Sequence, residues 1–316
     1  MELITANRAN GILYHFLKYQ KQEDKCWILP SNICPEVVLT FLKAGCKFRF
    51  IDLEEKELGI NLKQVEEAIH NGGIAGVLYN HTYGNEYTPD QHLIEIKNNN
   101  PELLLVDDRC LCDPQINFDS SWADLVLFST NFRKQVDLGY GGYGFTNTKI
   151  EPGEILEYKK KEYDKVSHEL KATVDPEHWR SMAIRPWLDT SAMGISTKKY
   201  FEDIKNYKKK WNKHKQSLIS IYKKHIPRNM QLGPHFNNWR FNIHVKNKSD
   251  LIRHIFRERL FVSNHYPSIG SIIERKRFPV AEWLYRYGIN LFIDKHYTEK
   301  MVYRTVQIIN KYGNPI

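Results

Sequence analysis

Along the first half of the chain, short apolar runs alternate with segments of helical spacing. Trp27-Ile28-Leu29, ending at Pro30, is one such run, followed by residues 46–53 (CKFRFIDL), 75–80 (AGVLYN), 103–107 (LLLVD) and 124–129 (DLVLFS). Brief apolar stretches bounded by turn residues are what buried strands of a parallel sheet look like. A further strand is expected at residues 143–146, after a glycine-rich turn. Between these runs, residues 11–19, 35–44 and 61–70 have helical spacing, with Asn61 placed to cap the third helix and Gly45 to end the second. Pro89 stands where the first turn of another helix tolerates it. Strand–helix alternation predicts an α/β domain, its mainly parallel sheet wrapped by helices. Ligands of such sheets bind at the carboxyl ends of the strands.

The pattern changes after about residue 150. Residues 151–180 are polar and weakly patterned, and read as a surface crossing between two domains. A long basic helix is expected over 198–224, a strand over 239–245, a helix over 249–258, a short run at Phe261-Val262-Ser263 and a closing helix over 298–310 with Thr298 as its cap. This predicts a large α/β domain over residues 1–165, then a connecting region and a small C-terminal α+β domain over residues 166–316.

Composition narrows the function classes. The chain has 316 residues, 41% hydrophobic and 13% aromatic, a globular rather than disordered balance. No apolar run approaches the length of a membrane span, and the N-terminal residues lack the basic and apolar regions of a signal peptide, so a cytoplasmic protein is expected. Five cysteines, an odd number, argue against a disulfide framework. Cys110-Leu111-Cys112 has no second pair to complete a zinc site, and no metal is expected. The net charge of +9 suits nucleic acid, an anionic membrane or a phosphate-bearing small molecule. Lys205, Lys208, Lys209, Lys210, Lys213 and Lys215 read as a solvated helix face. A basic nucleic-acid or membrane binding module is the alternative from a different class.

Candidate chemistry gathers at the strand ends. Residues 103–108 deliver Asp107 and Asp108 to the end of one strand, with Asp107 the competing acid on the opposite face. Residues 124–129 deliver Ser129 to the end of the next, and Lys134 and the turn Gly139-Tyr140-Gly141-Gly142 follow. Asn80 and His81 end another strand. Arg240, in the second half, is placed either to meet a substrate carboxylate or phosphate, or to form an exposed ion pair.

These blocks carry a resemblance. Phe128-Ser129-Thr130-Asn131-Phe132-Arg133-Lys134, running into Gly139-Tyr140-Gly141-Gly142, resembles the "FSF-x-x-TK…GEGG" block of the DegT/DnrJ/EryC1/StrS sugar aminotransferases. Val106-Asp107-Asp108 is similar to that family's "ED" block, and Asn80-His81-Thr82-Tyr83-Gly84 to its "VHLYG" element. Residues 27–52, Phe278-Pro279-Val280-Ala281-Glu282 and Ile289-Asn290-Leu291 resemble further blocks, in the family's order along most of the chain.

The resemblance implies a pyridoxal-phosphate (PLP) fold of type I and a homodimer with sites at the subunit interface. The implied reaction moves an amino group from an amino acid, glutamate being the expected donor, to a keto sugar, nucleotide-linked, in surface polysaccharide or aminosugar synthesis. By position, Lys134 would be the Schiff-base lysine and Asp108 the partner of the pyridine nitrogen. Ser129 and the backbone of Ala9, Asn10 and Gly11 would hold the phosphate, and Asn80 and His81 would have a weaker contact. Cys34 stands where the family places an aromatic or histidine over the ring, Leu111 where it has a glutamine, and Tyr140 where its turn has an acid. A member short of the family's N-terminal arm is expected, with an unusual pocket; a divergent PLP-fold protein with a different substrate or little turnover is the alternative.

Overall fold

The computed structural model describes residues 1–150, 153–170 and 175–316. Its main sheet has seven strands in the order β1-β7-β6-β5-β4-β2-β3. These are β1 (Glu2–Ala6), β2 (Cys26–Pro30), β3 (Lys47–Ile51), β4 (Ile74–Asn80), β5 (Leu104–Asp108), β6 (Leu125–Ser129) and β7 (Gly142–Thr146). Strands β3, β2, β4, β5 and β6 run parallel, and β7 is antiparallel to both of its neighbours. The carboxyl ends of the parallel strands therefore share one edge with the start of β7.

The expected helices form close to their sequence limits: α1 (Ala9–Tyr19), α2 (Pro35–Ala44), α3 (Leu62–His70) and α4 (Asp90–Asn99). Asn61 caps α3 by accepting from the Gln64 N–H at 3.2 Å. Gly45 ends α2 in the left-handed region, at φ 73°, where a side chain is disfavoured. Side-chain alternation sorts each strand between two cores. Leu104 and Val106 of β5, and Leu125 and Leu127 of β6, pack towards α1 and α2. Leu105, Val126 and Phe128 pack on the opposite face.

The polar stretch 151–180 is more structured than its pattern suggests, although residues 151, 152 and 171–174 lie outside the described residues. Helices α5 (Lys160–Glu169) and α6 (Pro176–Ile184) form within it. They send Val166, Trp179, Met182 and Ala183 into the first core, so a few large apolar residues dock segments whose remaining positions are polar. Strand β1 also had no expectation. It lies at the sheet edge, paired only with β7, and its exposed positions give no apolar run.

The helix α7 (Thr197–His225) leads to a second, three-stranded sheet of order β8-β10-β9: β8 (Phe241–His244), β9 (Val262–Asn264) and β10 (Gly288–Leu291). Its core is shared with α8 (Lys248–Arg257) and α11 (Glu299–Tyr312), the latter capped by Thr298. Between β9 and β10, α9 (Ile269–Glu274) and α10 (Pro279–Tyr287) return Ile269, Phe278, Ala281 and Leu284 to the first core. No described helix is long and apolar enough to cross a membrane.

Candidate active site

Three neighbouring strands bring polar side chains to one edge and one face of the sheet. In register, Asn80 of β4 lies beside Asp108 of β5, and Asp108 beside Leu127 of β6. Side chains alternate along a strand. Asp108 therefore follows Leu104 and Val106 on the α1–α2 face, and Ser129 follows Leu125 and Leu127 on that face too. Asp107 points the other way. Its carboxylate is fully buried between His81 and Arg109, at 2.8 Å from His81 Nε2 and 2.6 Å from Arg109 Nε.

The other ring nitrogen of His81, Nδ1, lies 2.5 Å from the Asn85 carbonyl oxygen. Both nitrogens thus face acceptors, which only the doubly protonated ring satisfies. Burial opposes that charge, but Cys112 and Asp107 outweigh it and raise His81 to about 10. Burial likewise works against the Asp107 anion, yet His81 and Arg109 hold its carboxyl below the usual carboxylate range. His81 is thereby committed to a structural ion pair and is not free to act as a base.

Lys134 comes from the loop after β6. The Thr130 hydroxyl pins that loop by donating to the Tyr140 carbonyl at 2.7 Å, and it lies 2.6 Å from the Tyr200 hydroxyl. The Arg133 N–H donates to Asp137 at 3.0 Å, with Arg133 at φ 63°. Lys134 then projects into a cleft of about 440 Å³, counting space open to solvent, shared with Asp108, Asn80, Cys34, Cys110 and Tyr266. Burial opposes the Lys134 ammonium, but Cys110, Cys34, Asp108 and Glu36 hold its pKa above the ordinary lysine value. Burial pushes both thiols up as well.

A cradle for an anion lies at the start of α1. Arg8, its cap residue, makes no capping bond with its side chain, so no side-chain cap competes for the first N–H groups, those of Ala9 and Asn10. Gly142, opposite Ser129 in register, lets the α1 backbone approach: a Cβ there would lie 2.1 Å from the Ala9 nitrogen. Gly11 is also crowded, its added Cβ falling 2.9 Å from the Asp189 carbonyl oxygen. The Asn10 side chain is turned to Glu36, donating to Oε2 at 3.3 Å, which leaves its backbone as the candidate contact. Gly142→Ala is expected to push α1 off β7 and cost about 1–3 kcal/mol, read as a lower midpoint in chemical denaturation.

The structure places the residues that depart from the family's pattern as follows. Cys34 caps α2 and lines the cleft, and Leu111 lines it too. Tyr140 donates to Asp203 at 3.0 Å. Arg240 is buried, at 4% exposure, and bonds Asp294 at 2.7 Å; its ion pair is internal rather than exposed. Lys208 pairs with Asp113 across elements, so the basic face of α7 is only partly solvated. Cys110, His265 and Tyr266 were not anticipated as cleft residues. The segment holding His265 and Tyr266 follows β9 of the three-stranded sheet, and nothing in its local pattern signals its return to Lys134. Among the described residues, no group of three or more His, Cys, Asp or Glu could hold a metal ion.

The residues present fit PLP. One cleft offers an amine and a carboxylate, and an open helix start with a serine hydroxyl lies along the same sheet edge. Two buried polar atoms of cleft residues, Asn80 Oδ1 and His265 Nε2, have no hydrogen-bond partner among the described residues.

Comparison with solved structures places this geometry in a known fold. DesV of S. venezuelae superposes with a TM-score of 0.72 at 15% identity, over 98% of this chain and 84% of its own. A protein from Streptococcus pneumoniae assigned as a sugar aminotransferase gives 0.74 at 11% identity, over 98% and 86%; it has also been solved in PLP and PMP forms. A DegT DnrJ EryC1 StrS aminotransferase from Brucella abortus gives 0.69 at 13%, over 99% and 86%. The chain therefore has the fold of the PLP-dependent sugar aminotransferases, the type I α/β fold expected from its sequence. No family model matches the sequence, and no curated relative matches it.

Proposed function

We propose that the chain is a PLP-dependent sugar aminotransferase of the DegT/DnrJ/EryC1/StrS type. The observation that carries this reading is the pairing of Lys134 with Asp108 in one cleft at the carboxyl edge of the sheet. Lys134 would hold the cofactor, Asp108 would face its pyridine nitrogen, and Ser129 with the Ala9 and Asn10 backbone would hold its phosphate. Asn80 would contact it from β4. When bound, PLP supplies an electron-accepting ring that makes an amino acid's α-proton removable. Lys134 Nζ takes and returns that proton, and the Asp108 carboxylate stabilises positive charge on the ring beside it. Tyr266 and Cys34 close the cleft and restrict water at the reacting atoms. The donor is glutamate and the acceptor a nucleotide-linked keto sugar, serving surface polysaccharide or aminosugar synthesis. The working form is a cytoplasmic homodimer.

Purified protein supplied with PLP is expected to turn yellow and to be bleached by borohydride, with the reduced adduct on Lys134 in a peptide digest. A protein that stays colourless and takes up no PLP overturns the reading. Adding glutamate should convert the bound cofactor to its amine form; an unchanged spectrum removes glutamate as donor. Asp108→Asn is expected to keep the Lys134 adduct yet slow turnover about a hundredfold, the scale of losing one preorganised charge.

A further inference from the structure

The backbone that leads into Lys134 is unfavourable on its own. Arg133, the residue before it, sits in the left-handed region at φ 63°, where a side chain is disfavoured. Such a conformation persists only where the surroundings hold it. The peptide group joining Arg133 to Lys134 is held at both of its polar ends. Its N–H, that of Lys134, donates to the Asn131 carbonyl at 3.3 Å. Its oxygen, that of Arg133, accepts from the Trp239 indole N–H at 2.6 Å. The first bond is local to the loop. The second spans 106 residues and comes from the segment that leads into β8. Trp239 is itself seated. Its ring lies nearly parallel to that of Tyr83, 7° between planes with centroids 6.5 Å apart. On it also stands the Arg240 guanidinium, 5.3 Å from the ring centroid and tied to Asp294. The neighbouring Asn238 side chain donates to the Gly84 carbonyl at 3.2 Å.

We propose that Trp239 is a positioning residue for Lys134: its indole N–H fixes the Arg133–Lys134 peptide plane and so aims the Lys134 amine into the cleft it shares with Asp108. A peptide group is planar, so its rotation sets ψ of the residue before it and φ of the residue after it. Here those are ψ of Arg133 and φ of Lys134, and the latter helps to set the direction in which the lysine side chain leaves the chain. The bond serves the loop more than the indole. Trp239 is only half-buried, so water can satisfy its N–H, whereas the loop has a strained residue to hold. A ring that merely packs against Tyr83 asks for no polar partner at all. That this aim matters to a reaction rests on the reading of Lys134 above; the brace itself does not.

Trp239→Phe keeps a ring against Tyr83 and removes the N–H. In cofactor-free protein, hydrogen exchange of the Lys134 amide is expected to speed up about fivefold, the scale of one net hydrogen bond. The amides of β8 and β10 should keep their wild-type rates. On addition of PLP, the borohydride-trapped adduct on Lys134 should form about fivefold more slowly. Turnover with an amino donor should fall in kcat with KM little changed, as for a group that acts on the reacting step and not on binding. Unchanged exchange at Lys134 overturns the proposal, as does exchange in β8 that speeds up equally. An unchanged trapping rate in protein that takes up PLP overturns it too. Should the variant not fold, the wild type decides: protection of the Lys134 amide supports the brace, and exchange at the rate of an unstructured peptide overturns it. If the protein takes up no PLP, the exchange measurement stands alone. A Lys134 amide that depends on Trp239 in a colourless protein keeps the brace and sinks the enzyme reading.

Discussion

Lys134→Ala is expected to lose glutamate-dependent turnover by about four orders of magnitude, the upper end of what a positioned acid–base group contributes. It should also lose the borohydride-trapped adduct. The change in folding stability should be small, because the Lys134 amine forms no ion pair with a described residue and the raised pKa marks only a modest net attraction. The thermal midpoint should therefore match wild type, which separates a chemical role from a structural one. A small exogenous amine should restore part of the activity by standing in for Nζ. A variant with wild-type turnover would remove Lys134 from the chemistry.

The largest stability effect is expected one residue away from the cleft carboxylate. Asp107→Asn leaves His81 and Arg109 buried without their anion, and breaking a buried pair in this way costs about 3–5 kcal/mol. Equilibrium urea unfolding would read it. The gap between variant and wild type should depend on pH in a stated direction. His81 is raised from 6.5 to about 10 in the folded protein. Its contribution is therefore fully present below pH 6.5 and is lost as pH rises through 10. Asp107 is lowered from 3.8, so its contribution is present above that value and is lost as pH falls through its lower folded value. The gap should be widest near pH 5–6 and narrow towards pH 10. A gap that stays constant across that range would show that the pair is not ionic.

These two variants also show how far the sequence could be read. That Asp107 and Asp108 end a strand was legible from Leu103-Leu104-Leu105-Val106, and alternation placed them on opposite faces. Which face holds the cleft depends on where α1 and α2 pack, and that is a tertiary fact. Ser129 and Asn80 end β6 and β4, as the strand pattern led one to expect, whereas Lys134 lies in the loop after β6 and stood out through the resemblance of its block. His265 and Tyr266 follow a three-residue strand of the other unit, and only its packing carries them back to Lys134. The basic helix misled in a similar way. Spacing marks its lysines as solvated, and Lys205, Lys209, Lys210 and Lys213 are exposed, but Lys208 meets Asp113 from a distant loop and Lys215 is half-buried. Such charge pairing between remote segments leaves no trace in local periodicity.

Helix α7 has 29 residues, a rod of about 43 Å at 1.5 Å per residue. Tyr200 and Ile204, near its start, belong to one core, and Leu218, Ile221 and Tyr222, near its end, belong to the other. Tyr207, Trp211 and Lys215 occupy the span between the two anchorages. One continuous helix is thus seated in both cores, and the distance between its two anchorages fixes where those three side chains stand.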